Sequence, residues 1–220
     1  MPTRTIEAYA FDAYGTLFDV HSAIGHFREA IGPEADAFSA LWRAKQLEYT
    51  WTRTLMDRYA DFWTLTQEAL EFAFQRHPGV PHVLRQPLLD AYRRLDAYPD
   101  VVPALKGLAS QGKRLAILTN GARAMAKAAA TSAGIADAFE AIVSADEIRQ
   151  FKTDPEIYGL AHETLGLALG KVALVSSNRW DVAGAAAFGM PAIWVNRTGQ
   201  PDEYLDLPPL RVLRSLADLR

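Results

Sequence analysis

The sequence contains no cysteine among its 220 residues, so neither a disulfide framework nor a thiolate metal site can form. Its five histidines, His21, His26, His77, His82 and His162, include no pair at helical i,i+4 spacing and no neighbouring carboxylate cluster, which speaks against a zinc site. Positive charge is not in excess: 23 Lys and Arg against 26 Asp and Glu give a net charge of -3, without the basic footprint of a nucleic-acid-binding protein. Long hydrophobic runs are also missing. The longest uncharged apolar stretch, 182–195, is interrupted by Gly184, Gly189 and Pro191 and is too short to span a bilayer. Residues 1–7 lack the apolar core of a secretory signal, so a cytoplasmic protein with no membrane or nucleic-acid partner is expected. There is no internal repeat and no low-complexity tract.

What is present is ordinary globular material. Half the residues are hydrophobic and 22% are charged, enough for one α/β core with a smaller appended domain. Four apolar runs read as buried strands that end in polar residues: 6–11 into Asp12, 114–118 into Thr119-Asn120-Gly121, 172–175 into Ser176-Ser177-Asn178, and 192–195 into Asn196. Helical stretches lie between them at 102–110, 123–133 and 155–165, the last with Asp154 as a cap and Pro155 at its first position. Strands alternating with helices of this length imply a Rossmann-like parallel sheet covered on both faces, with the polar residues after each strand converging on one crevice. Residues 20–97 break the alternation. They read as consecutive helices rich in aromatics (Trp42, Tyr49, Trp51, Tyr59, Phe62, Trp63, Phe72, Phe74), an inserted helical cap domain that leaves 1–19 and 98–220 as the core.

Asp12-Ala13-Tyr14-Gly15-Thr16 places a carboxylate at a strand tip, with a glycine for a sharp turn and a hydroxyl close behind. Alone, Asp12 reads equally well as a turn cap. Lys152, after the apolar Phe151, is a partner that would keep Asp12 ionised and oriented; in isolation it reads as a surface charge. Ser176-Ser177-Asn178-Arg179-Trp180-Asp181 ends a strand and opens a helix, so its polar groups face the same crevice, although a turn with Asp181 at a helix N-terminus has the same pattern. Taken jointly, the four strand ends are hard to explain by capping.

Together, Asp12-x-x-Gly15-Thr16, Thr119-Asn120-Gly121, Lys152 and the 176–181 segment resemble the four motifs of the haloacid dehalogenase superfamily, over essentially the whole chain. Phe11-Asp12-Ala13-Tyr14-Gly15-Thr16-Leu17, Trp42-Arg43, the 176–181 segment and Trp194-Val195-Asn196-Arg197 resemble the L-2-haloacid dehalogenases in particular. Phosphatases of the superfamily place a second Asp two residues after the nucleophile to protonate an alkoxide leaving group; here that position is Tyr14. They also hold Mg²⁺ with acidic residues of the last motif, where this chain has Ser176, Ser177 and Asn178, with Asp181 as the one carboxylate. Halide departs as a free anion and requires neither acid nor metal, so no cofactor is expected.

The resemblance implies that Asp12 displaces halide from C2 of a short 2-halo acid with inversion, and that water then attacks the carbonyl carbon of the Asp12 ester. It implies that Arg43, on a cap helix spanning 38–55, receives the halide with Asn120, and that Lys152 balances Asp12. Asn178 and Asp181 position or activate the water, while Thr16, Ser176 and Tyr158 support the geometry by hydrogen bonding. The backbone at Ala13 and Tyr14, with Ser176, is expected to hold the substrate carboxylate. Tyr14, Leu47, Phe62 and Trp180 are expected to form an apolar wall, with Thr119 also at the substrate. The family is commonly dimeric, and a homodimer is expected. The sequence departs from the family at Ala44, where Gln is frequent, at Thr119 for Ser, and at Thr153 for Pro. These departures bear on which halide and chain length are accepted. Two other readings stay open on the sequence: a phosphoryl-transfer member of the same fold, and a binding module with a vestigial crevice.

Overall fold

The computed structural model describes residues 5–219. Most of the N-terminal stretch read above as lacking a secretory signal, residues 1–4, lies outside them, as does residue 220. Six parallel strands form one sheet: β1 (Ala8–Phe11), β2 (Arg114–Thr119), β3 (Ala141–Ser144), β4 (Val172–Ser176), β5 (Ala192–Val195) and β6 (Arg211–Leu213), in the order β3-β2-β1-β4-β5-β6. β1 and β4 are buried along their whole length, as strands covered on both faces must be. Four of the strands match the apolar runs of the sequence; β3 and β6 were not read from it. β3 is half-exposed over its first two residues, and β6 is a three-residue edge strand with one buried position, so neither carries a continuous apolar signal.

The strand order reverses at β1, which pairs β2 on one side and β4 on the other. In such sheets the reversal opens a crevice at the C-terminal strand ends. Phe11 is level with Ile117 of β2 and Val175 of β4, so Asp12, Leu118 and Ser176 lie side by side at the rim of that crevice.

Between β1 and β2 the chain forms two single-turn helices, α1 (Ser22–Gly25) and α2 (Arg28–Ile31), then α3 (Ala35–Leu55), α4 (Phe62–Arg76) and α5 (Arg85–Tyr92), before α6 (Val101–Ser110) returns to the sheet. The chain leaves the sheet and rejoins it side by side, because Phe18 bridges Ala97, Asp19 N–H donates to Asp96 and Tyr98 N–H donates to Leu17. On α3 the buried residues include Phe38, Trp42, Gln46 and Thr50, every fourth position and hence one face. That face packs on α4, where the Trp42 indole donates to the Thr66 carbonyl at 2.9 Å. Of the aromatics marked in this region, Trp42, Phe62 and Phe74 are buried, whereas Trp51 is exposed. The remaining helices α7 (Arg123–Ser132), α8 (Pro155–Leu165) and α9 (Arg179–Phe188) cover the sheet, with Asp154 capping α8 through Glu156 N–H. Among the described residues no helix is long and apolar enough to cross a membrane.

Candidate active site

Asp12 follows β1 directly and turns into the loop through Gly15, whose φ of 95° is costly for any residue with a Cβ. The Asp12 carboxylate is 5% exposed and accepts three hydrogen bonds. Thr16 Oγ1 and Asn178 Nδ2 each donate to Oδ2 at 2.8 Å, and Lys152 Nζ donates to Oδ1 at 3.1 Å. Thr16 is itself fixed, since its hydroxyl accepts from Ser177 N–H at 2.8 Å.

Lys152 is the electrostatic centre. It is 1% exposed and spends all three ammonium protons on protein: Asp12, Asp181 Oδ2 at 2.8 Å and the Leu118 carbonyl at 2.7 Å. Burial works against its charge, but the two carboxylates outweigh burial and raise its pKa above the ordinary lysine value. Its backbone N–H donates to Asn120 Oδ1 at 2.8 Å, tying the end of β2 to the lysine loop. The Lys152–Thr153 peptide bond is cis.

Asp181 is fully buried near the start of α9. Burial raises its pKa, the Lys152 charge pulls it back, and the Asp12 charge raises it further. Tyr158, also fully buried, donates to Asp181 Oδ1 at 3.0 Å, and burial with the Asp181 charge holds the phenol well above its usual range. Ser176 accepts from Asn178 N–H at 3.1 Å, and its hydroxyl draws the Asp181 pKa down against burial. Its hydroxyl therefore steadies the Asp181 side of the site. The Thr119 hydroxyl likewise holds its own turn, accepting from Gly121 N–H at 2.9 Å.

The signs of these shifts define a pH dependence. Lys152, raised, contributes stability that is complete below the unfolded lysine pKa and lost as pH rises through its folded value. Asp181, also raised, contributes stability below the unfolded aspartate pKa and loses it as pH rises through its own folded value, so its ionised form at neutral pH is held at a cost that Lys152 offsets. If ionised Asp181 activates water, the acid limb of the ester-hydrolysis rate should lie above the free aspartate value of about 3.9, and loss of Lys152 charge should set in only above about 10.4. A single-turnover pH profile checks both limits.

The predicted wall residues fall into two groups. Tyr14 and Phe62 are buried on the inner side, their rings 5.5 Å apart, and Tyr14 also stacks on Tyr92 at 5.8 Å and 12°. Burial pushes the Tyr14 phenol well above its usual range, with Tyr92 and Asp12 adding to the shift. Arg43, Leu47 and Trp180 line a cleft of about 490 Å³ that reaches Gly15 and Asn178, next to Asp12. Arg43 Nη2 donates to the Tyr14 carbonyl at 3.1 Å, and Trp180 meets Trp51 of α3 edge-on at 5.4 Å. Among the described residues, the N–H groups of Ala13 and Tyr14 donate to no backbone carbonyl outside the regular elements, whereas the Ala13 carbonyl accepts from Thr16, Leu17 and Phe18. A larger, mostly apolar groove of about 690 Å³ runs past Trp51, Trp180 and Phe188 and holds none of the ionisable groups of the site.

Sequence reasoning missed four contributors. A Cβ on Gly121 would lie 2.5 Å from the Tyr14 ring, so only glycine lets β2 approach the loop after Asp12. A Cβ on Gly184 would lie 2.5 Å from the Tyr158 hydroxyl. Arg197, noted only as part of a motif, pairs with Asp100 at 2.7 Å and donates to the Thr16 carbonyl at 3.0 Å, bracing the nucleophile loop from behind. Tyr92 had no sequence signal beyond being one more aromatic in the helical insertion.

The donor set does not suit Mg²⁺. The two carboxylates are bridged by an ammonium group, the adjoining positions are Tyr14, Ser176, Ser177 and Asn178, and no cluster of three or more His, Asp or Glu among the described residues is placed to hold a metal ion.

A parallel sheet with a carboxylate at the tip of its central strand, countered by a buried lysine, is the arrangement of one hydrolase class, and the comparisons agree. The model of the haloacid dehalogenase-like hydrolase family matches residues 6–189, and the chain belongs to that family. Within it the chain falls among the (S)-2-haloacid dehalogenases: it is 45% identical to (S)-2-haloacid dehalogenase 1 of Pseudomonas sp. (strain CBS-3), over 97% of this chain and 95% of that protein. A crystal structure of a dehalogenase superposes with a TM-score of 0.95 at 43% identity, covering 100% of this chain and 96% of the other. The L-2-haloacid dehalogenase of Xanthobacter autotrophicus with chloropropionic acid covalently bound superposes with a TM-score of 0.88 at 38% identity, covering 98% and 97%.

Proposed function

We propose that this enzyme hydrolyses short-chain (S)-2-haloacids to (R)-2-hydroxyacids and halide through an Asp12 ester, without metal. The observation that carries the reading is the environment of Asp12. Its carboxylate receives three donors and no carboxylic acid, and the position where a phosphatase needs an acid is the buried, neutral Tyr14. A group displaced by Asp12 without needing a proton fits that environment; an alkoxide displaced in the same first step would find no acid at position 14.

In the first step an Asp12 oxygen attacks C2 of the substrate from the side opposite the carbon–halogen bond, which breaks as the new C–O bond forms and inverts the centre. Halide leaves with the bonding pair, toward Arg43 and the Asn120 amide. The N–H groups at Ala13 and Tyr14, which among the described residues donate to no backbone carbonyl outside the regular elements, are suited to the substrate carboxylate, and the aromatic cluster of Tyr14 and Phe62 strips water from the nucleophile. In the second step water adds to the Asp12 carbonyl carbon while Asp181, steadied by Tyr158, Ser176 and Lys152, takes its proton. Collapse expels the 2-hydroxyacid oxygen, which takes the proton back from Asp181, and the proton left on the newly formed Asp12 carboxyl passes to solvent, regenerating the carboxylate. In this reading residues 20–97 act as a cap over a core of 1–19 and 98–220, and the absence of cysteine is compatible with a cytoplasmic setting.

Turnover of L- and D-2-chloropropionate in the presence of EDTA tests the reading. Halide release from the L-isomer, unchanged by chelation, is expected. Activity that disappears with EDTA and returns with Mg²⁺, or that acts on phosphate esters instead, would overturn it.

A further inference from the structure

Beneath Arg43 lies a fully buried polar chain that the reaction as derived above does not use. Gln46 and Tyr92 are each 1% exposed and Thr66 is 0% exposed. The direction of every hydrogen bond in the chain follows from its far end. The Phe62 carbonyl can only accept, so Thr66 donates to it at 2.7 Å and spends its one hydroxyl proton. Thr66 Oγ1 then accepts from Gln46 Nε2 at 3.0 Å, which turns Gln46 Oε1 toward Tyr92. The Tyr92 hydroxyl donates to that oxygen at 3.3 Å. With its single proton committed, the Tyr92 oxygen has only lone pairs left to offer.

A cation lies near those lone pairs. Burial pushes the Tyr92 hydroxyl up, while the nearby Arg43 charge pulls it back. A second connection is made through the ring. Tyr92 stacks nearly parallel on Tyr14, and the Tyr14 carbonyl accepts from Arg43 Nη2 at 3.1 Å. Arg43 and Gln46 are neighbours on the same helix surface, one turn apart, so Tyr92 meets both at once.

We propose that Tyr92 is a positioning residue for halide departure: its oxygen, with the proton held by Gln46, aims the Arg43 guanidinium at the departing anion. This rests on the reading of Arg43 as halide acceptor. A guanidinium that has lost one of its anchors stabilises charge developing on the halide less well, and a poorer leaving group depends more on that help.

The test is the single-turnover rate of halide release from L-2-bromo- and L-2-chloropropionate, measured for the parent enzyme, Tyr92→Phe and Gln46→Met. Tyr92→Phe keeps the stacked ring and removes the oxygen. It is expected to slow chloride release about 10-fold and bromide release about 2-fold, the scale of one hydrogen bond to a charged group. Gln46→Met frees the Tyr92 proton to turn toward Arg43, and should raise the bromide-to-chloride ratio in the same direction. Equal losses on the two substrates, or no loss, would mean that Tyr92 only packs the cap and would overturn the proposal. Should Tyr92→Phe not fold, the Gln46→Met ratio decides alone. A parent enzyme that released neither halide would instead overturn the functional reading on which the proposal stands.

Discussion

Asp12→Asn is expected to lower halide release by about four orders of magnitude or more, the scale on which removal of a covalent nucleophile acts. The substitution is nearly isosteric, yet it replaces an anion that only accepts hydrogen bonds with an amide that must also donate. All three partners of Asp12 donate to it: Thr16, Lys152 and Asn178. One face of the amide therefore meets donors it cannot satisfy, and it has no charge with which to attack carbon. Lys152 still keeps Asp181 at 2.8 Å, so no buried ion is left without a counter-charge. The variant should accordingly melt cooperatively, close to the parent. Loss of activity with retained folding separates the chemical role of Asp12 from a structural one, and parallel halide-release assays and thermal melts measure it.

Lys152→Met is expected to damage stability as well as activity. It leaves Asp12 and Asp181 buried together with no cation between them, and breaking a buried pair by removing one partner costs about 3–5 kcal/mol. The deficit should depend on pH in a defined direction. Without the lysine charge the already raised Asp181 rises further, so the missing stability is recovered as pH falls and Asp181 takes up its proton, and the deficit is largest at neutral pH and above. Adding Asp181→Asn should restore much of the stability and none of the activity, because it removes the second buried charge together with the group proposed to activate water. Urea unfolding of the single and double variants at two pH values checks each step. A single variant as stable as the parent at neutral pH would mean that the ammonium group is not the counter-charge of the site.

The division between what could be read in the sequence and what could not follows burial. β1, β2 and β4 are apolar through most of their length and are followed within two residues by Asp12, Asn120 and Asn178, so the sequence showed both the strand and the group it delivers. Lys152 was readable as a partner only because Asp12 was already in view; nothing local marks a loop lysine as 1% exposed. β6 was illegible because two of its three residues are exposed. The sequence placed Ser176 both at the substrate carboxylate and in support of the site, but not its bond from Asn178 N–H, which is set by how β4 turns into α9. Tyr92 and Gly121 depend on close approaches between segments more than seventy residues and one hundred residues from position 14. Such contacts leave no periodic trace; they exist only once the sheet order has brought the loop after Asp12 beneath α5 and beside the end of β2.

In the proposed reaction Asp12, and not water, attacks the halogen-bearing carbon. A single turnover of L-2-chloropropionate in heavy-oxygen water, with enzyme in excess, tests it most directly. Heavy oxygen is expected in the carboxylate of the peptide containing Asp12, while the first 2-hydroxypropionate formed carries an ordinary oxygen taken from that side chain. Heavy oxygen in the product hydroxyl of the first turnover, with Asp12 unlabelled, would contradict it.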